Sequence, residues 1–324
     1  MTDEAAGLRR LGRSGLPVSR LGLGLAALGR PGYINLGHGA DLAGRTKAAD
    51  LERHAHTLLD AAYEDGVRYF DAARSYGEAE AFLAFWLERR GLTPGAVTVG
   101  SKWGYTYTAA WRVEAARPEV KNLSLATLRR QVAESCDLLG SHLNLYQIHS
   151  ATSDSGVLDD RDVLEELRRL REAGLAIGLT VTGAQQAATI QRALEVELFD
   201  TVQATWNLLE RSTGPILAEA HDAGLGVIVK EALANGRLTA RGNVVPLLEN
   251  AEHRGVSPDA LALSAALAQP WADVVLSGAA TVEALQSNLT ALGLELGEQL
   301  DPGLEDLTEE PARYWDERAS LPWN

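Results

Sequence analysis

The chain carries one cysteine, Cys136, so no intrachain disulfide can form. That residue lies in Gln-Val-Ala-Glu-Ser-Cys-Asp-Leu-Leu, a helical pattern, and is expected to be buried as a small apolar side chain. Basic residues are scarce: 30 Lys and Arg stand against 44 Asp and Glu, a formal net charge of −14. Nucleic acids and anionic membranes select a basic face, so neither is expected as a partner. No apolar run reaches the length of a membrane span. The start, Met-Thr-Asp-Glu-Ala-Ala-Gly-Leu-Arg-Arg, is polar and acidic and shows no secretory leader. With one cysteine and no leader, a cytoplasmic location is expected.

Motifs are missing as well. His-x-x-x-His, Cys-x-x-Cys and Asp/Glu ligand clusters do not occur, so no metal is expected. His54 and His56 are two apart in a helical pattern and do not share a face. Gly-x-Ser-x-Gly is absent, and the one thiol lies in a helix, which leaves acyl chemistry without a nucleophile.

Apolar residues are abundant, at 46% of the chain, enough to bury a large core. Short apolar runs that read as strands cover 20–24, 67–71, 97–102, 143–149, 177–182, 202–204, 226–230 and 274–277. Longer amphipathic stretches fall between them at 53–65, 79–90, 124–139, 160–173, 184–195 and 214–223. Gly66, Gly91, Gly140, Gly174 and Gly224 stand where these helices would end. Eight strand-then-helix units over roughly 250 residues predict an α/β fold, a (β/α)8 TIM barrel. The glycines at 22–29 are followed by further loop glycines rather than a helix, which argues against a doubly wound dinucleotide fold. No linker or composition break appears, so residues 1–324 are expected to form a single domain. Residues 8–19 alternate around Arg-Ser-Gly as a hairpin that could cap the barrel floor. The C-terminal extension, 304–324, carries aromatics that need a place to pack.

Four residues stand at or just after strand ends on what would be one rim. They are Asp71, Tyr76 in the adjoining loop, Lys102 and His149. Alone, each has an ordinary reading: a cap, a half-buried phenol, a strand-end lysine, a core histidine. Together they suggest a proton donor. An ammonium beside a phenol favours phenolate, a carboxylate holds the ammonium, and an imidazole can donate to a substrate oxygen. Nothing among them can supply hydride, so a nicotinamide cofactor is required.

The pattern resembles the aldo-keto reductase family, over nearly the whole chain. The shared features run from Leu-Gly-Arg-Ser-Gly-Leu-Pro-Val-Ser (11–19) through Asp-x-x-x-x-Tyr-Gly and the strand-ending Lys and His to Ser-Asn-Leu-Thr-Ala-Leu (287–292). The resemblance implies Tyr76 as general acid, Lys102 lowering its pKa, Asp71 paired with Lys102, and His149 orienting a carbonyl. It implies NADP (NADPH) across the barrel rim, with NAD as the alternative, held by Thr180, Gln203, Lys230, Leu233, Gly278, Gln286 and Asn288. The family's basic grip on the 2′-phosphate is replaced by Gly278, Ala279 and Ala284, and no Lys or Arg occurs between 275 and 293. NADP is therefore expected to be less sharply favoured over NAD than in members with the full basic grip. The loop 103–112 offers Trp103, Tyr105 and Trp111 as a wall for a small carbonyl substrate, with Tyr33, Tyr314, Trp315 and Trp323 as further candidates. Three other readings stay open: oxidation of a sugar or alcohol by the same residues, a cofactor-bound regulatory subunit, and Schiff-base chemistry at Lys102. No coiled coil or swapped arm is visible, so a monomer is expected.

Overall fold

Parallel strands buried on both faces read as unbroken apolar runs, and the eight runs above become the staves of one barrel. The computed structural model describes residues 7–296 and 302–324, so the first six residues of the polar start lie outside the described part. The barrel strands are β1 (Leu21–Gly24), β2 (Tyr69–Asp71), β3 (Thr98–Trp103), β4 (Leu143–Ala151), β5 (Ala176–Val181), β6 (Thr201–Thr205), β7 (Gly226–Lys230) and β8 (Val274–Ser277). They pair in sequence order and close, β8 against β1, all parallel. This is the (β/α)8 barrel expected.

Helices cover the outside. Helix α1 (Ala48–Glu64) buries Leu51, Ala55, Leu58, Leu59 and Ala62, one stripe at helical spacing. It begins a turn earlier than its pattern suggested, because Leu51 also faces the barrel. Helices α2 (Ala79–Arg89), α3 (Leu125–Leu139), α4 (Arg161–Glu172), α5 (Gln186–Val196) and α6 (Gly214–Asp222) match the amphipathic stretches within two residues. The Ser124 hydroxyl caps α3 by accepting from Thr127 N at 3.3 Å, and the Asp160 carboxylate caps α4. Cys136 falls on the outer face of α3 and is exposed, not buried as expected. Helices α7 (Val245–Arg254), α8 (Pro258–Leu267), α9 (Val282–Leu289) and α10 (Pro311–Ser320) complete the set used below. No helix among the described residues is long and apolar enough to cross a membrane.

The hairpin forms, with Arg9–Leu11 antiparallel to Leu16–Val18. It lies at the N-terminal ends of the strands. Arg13 N donates to Gly224 O at 2.7 Å, and the Thr98 hydroxyl donates to Pro17 O at 2.7 Å. Leu11 and Val18 pack with Tyr69, Leu145, Ile228 and Val274, all fully buried, and fill the floor. Gly12 sits so close to β7 that a Cβ there would lie 2.0 Å from Gly226 N. The opposite end is open and holds the site.

Candidate active site

Inward-facing strand residues alternate, so Tyr69 and Asp71 share one face of β2, and Gln147 and His149 share one face of β4. Asp71 is buried beneath the rim. Its Oδ2 pairs with Lys102 Nζ, and its Oδ1 accepts from Tyr69 Oη at 3.1 Å, Gln203 Nε2 at 3.0 Å and Gln147 Nε2 at 3.4 Å. A carboxylate with this many donors is compensated for leaving water. Lys102, only 1% exposed, also donates to Ala72 O at 2.9 Å and reaches Tyr76 Oη at 3.4 Å. The lysine thus links Asp71 to the phenol.

Tyr76 lies in the turn after β2. Its loop packs against the loop after β1 with no room for side chains: a Cβ on Gly29 would lie 2.0 Å from Tyr76 O, and one on Gly77 2.2 Å from Gly29 O. Gly77 also has φ +60°, a conformation other residues adopt at a cost. These two glycines aim Tyr76 at the cavity. His149 owes its direction to a break in the β4–β5 register between Ile148 and Ala151, with Ser150 at φ +55°. Its ring stands edge-on to Tyr76, centroids 5.5 Å apart, and to Tyr105 at 4.9 Å.

The electrostatics divide the roles. Burial and the Asp71 charge push the Tyr76 phenol well above its ordinary pKa, against the pull of Arg30, so the lowered pKa that the family resemblance implied is not what this site shows. Burial, then Lys102, Lys230, Arg30 and Lys121, hold the His149 imidazole well below its ordinary value. At neutral pH the site therefore presents a protonated phenol and a neutral imidazole. Arg30 is buried and donates to Ser75 O at 2.8 Å, pairs with Glu119, and lies 5.3 Å from the Tyr76 ring centre and 4.6 Å from that of Trp323.

A cavity of about 720 Å³ opens over these groups and runs along the rim to the start of α9. Asp71, Tyr76 and His149 line it, as do Thr180, Gln203, Lys230, Leu233, Gly278 and Asn288. Lys230 Nζ donates to Thr205 Oγ1 at 2.8 Å, and burial brings its pKa down to about 8. Gln203, expected at a cofactor carboxamide, uses its amide nitrogen on Asp71. Gln286 is exposed on α9 and does not line the cavity.

The aromatic wall differs from expectation. Of the loop residues only Tyr105 lines the cavity. Strand β3 runs one residue past Lys102, and alternation turns Trp103 outward into the core, where it is fully buried. Trp111 donates its indole N–H to Thr46 O at 2.6 Å and is not among the lining residues. From the C-terminal extension, Tyr314 and Trp315 pack in a second core with Leu208, Leu247 and Leu261. Trp323 and Tyr33 do reach the cavity. Arg318 of α10 reaches in too, gripping Glu231. Burial alone would raise the Glu231 carboxyl, but Arg318 and Lys230 outweigh it and hold it at about 2.

Tyr69, Gln147, Arg30, Glu231 and Arg318 were not among the residues expected at the site. The first two carry a readable signal, since each stands two residues before a recognised site residue on a strand. The others depend on docking of distant segments and carry none.

A buried ion pair, a phenol and an imidazole thus meet on the C-terminal rim of a (β/α)8 barrel, the face where enzymes of this fold carry their chemistry. The aldo/keto reductase family model matches residues 21–300, and the chain belongs to that family, whose members generally use nicotinamide cofactors. It is 26% identical over 344 aligned residues to an uncharacterized oxidoreductase, YrpG, of Bacillus subtilis, covering 93% of this chain and 95% of the relative. It is 26% identical over 326 residues to the NADH-specific methylglyoxal reductase of Escherichia coli, covering 89% and 94%. Among solved structures, an aldo-keto reductase of Bacillus halodurans in its holo form shares the fold, with TM-score 0.73, 21% identity and coverage of 94% and 96%.

Proposed function

We propose that the protein reduces the carbonyl of a small aldehyde or ketone to an alcohol, using hydride from a reduced nicotinamide dinucleotide and a proton from Tyr76. The observation that carries the reading is the Asp71–Lys102–Tyr76 chain, ending at a phenol that faces the cavity beside His149. Burial keeps Tyr76 protonated, as a donor must be. As a carbonyl oxygen gains negative charge, the adjacent Lys102 stabilises the phenolate left behind. Asp71 holds Lys102 against that phenol and is itself held by Tyr69, Gln147 and Gln203. The neutral imidazole of His149 can hold the substrate oxygen without competing for the proton.

The residues fit a dinucleotide. The cavity is long, no side chain fills it at Gly278, and two of its lining residues, His149 and Asn235, carry buried polar atoms without a protein partner. Bound there, the dinucleotide would supply hydride to the carbonyl carbon. Thr180, Gln203, Leu233, Gly278 and Asn288 would hold it. The name of the NADH-specific relative supports a nicotinamide substrate pair. Tyr33, Tyr105 and Trp323 would wall the substrate. Tyr76→Phe removes the proton donor and leaves the cavity intact. Its turnover of 4-nitrobenzaldehyde should fall by about 10²–10⁴-fold while dinucleotide binding persists. Turnover equal to wild type would refute the mechanism.

A further inference from the structure

The cavity has two chemically distinct ends. One holds Tyr76 and His149; the other lies between the first turn of α8 and the start of α9. This inference rests on the functional reading above: if a nicotinamide ring reacts beside Tyr76, the adenosine half must occupy the second end. We propose that Asp259 there selects NADH over NADPH by accepting from the ribose hydroxyls and repelling a 2′-phosphate.

Asp259 is the second residue of α8 and lines the cavity. Its Oδ2 lies 2.8 Å from the Asn288 amide nitrogen when that amide is turned so that its oxygen accepts from Ser277 Oγ at 2.8 Å. In that orientation every polar atom of the Asn288 amide has a partner, which fixes it. Asn288 is buried, so it anchors the carboxylate from the protein side. The open space beside Gly278 leaves room for a sugar to approach. A carboxylate is an acceptor only, which suits a pair of ribose hydroxyls and opposes a phosphate dianion. Among the described residues lining this end of the cavity, Arg241 is the one cation. The stretch 275–293 holds no Lys or Arg. Arg241, which also lines the cavity, is committed to the Asp41 carboxylate and to Leu36 O, each at 2.8 Å. A 2′-phosphate at this end would meet Asp259 without a counter-ion, so rejection is active rather than a mere loss of grip.

The test titrates full-length protein with NADH and NADPH, following dinucleotide fluorescence. Wild type should bind NADH at least about tenfold more tightly. Asp259→Asn, and independently Asp259→Ser, should cut that ratio by about tenfold, mainly through tighter NADPH binding. Two variants are used so that a folding defect in one, checked by circular dichroism, leaves the other to decide. Glu283→Gln, an equal charge change on the exposed side of α9, should leave the ratio unchanged. Equal wild-type affinities, or a ratio that neither Asp259 variant moves, would overturn the role of Asp259 while the reductase reading stands. Failure of both dinucleotides to bind would overturn that reading and this inference together.

Discussion

Asp71 and Lys102 are both almost completely buried, and neither is tolerable there alone. Lys102→Met fits the space of the lysine stem but leaves a carboxylate facing Tyr69, Gln147 and Gln203 only. The single change should cost about 3–5 kcal/mol in urea unfolding. Pairing it with Asp71→Asn should recover a clear part of that loss. Strict additivity of the two changes would mean that the ion pair is not what couples them. At this scale the proposed catalytic quartet was readable because each member closes, or directly follows, an apolar run. Asp259 was not, since nothing in Ser-Pro-Asp-Ala-Leu separates a lining carboxylate from any acidic residue in a helix's first turn.

Among the elements, α10 matters most for the mouth of the barrel. It docks Tyr314 and Trp315 into the second core and carries Arg318 to Glu231, a residue with φ +54° just past β7. Because the folded Glu231 carboxyl sits at about 2 against an ordinary 4.5, the unfolded chain binds its proton first as pH falls. The stabilisation is therefore complete above the unfolded value and drains away as acid takes the pH through the interval between the two. Arg318→Met should lower the melting temperature clearly at neutral pH and much less near about pH 3. A melting deficit independent of pH would show that packing of the arginine stem, not charge, docks the helix. The barrel strands and first six helices were legible from their periodicity. Helix α10 was expected only as an aromatic tail, because its partners are sequence-distant and its own pattern does not name them. Trp103 was misread for a related reason: one added strand residue sends a side chain to the opposite face.

Across the whole molecule, the candidate active site and the hairpin-packed floor occupy opposite ends of the barrel. Gly12 and Gly77 separate them experimentally. Each has positive φ, +48° and +60°, and each would drive a Cβ into backbone, at Gly226 and Gly29 respectively. Both Gly→Ala changes should destabilise by about 2–3 kcal/mol. Only Gly77→Ala, which displaces the turn bearing Tyr76, should also reduce turnover below the melting transition, by about a hundredfold. Equal effects on turnover would mean that floor and rim are mechanically coupled. The barrel itself was the most legible feature of all, since eight buried parallel strands leave their mark as eight apolar runs.

The hairpin that fills the floor has a consequence for traffic. The barrel interior is packed with side chains and the hairpin closes its far end, so whatever reaches Tyr76 enters and leaves by the rim cavity. On the proposed function, dinucleotide and carbonyl compound would share that mouth, and whichever lay across the lip would have to leave before what sits beneath it.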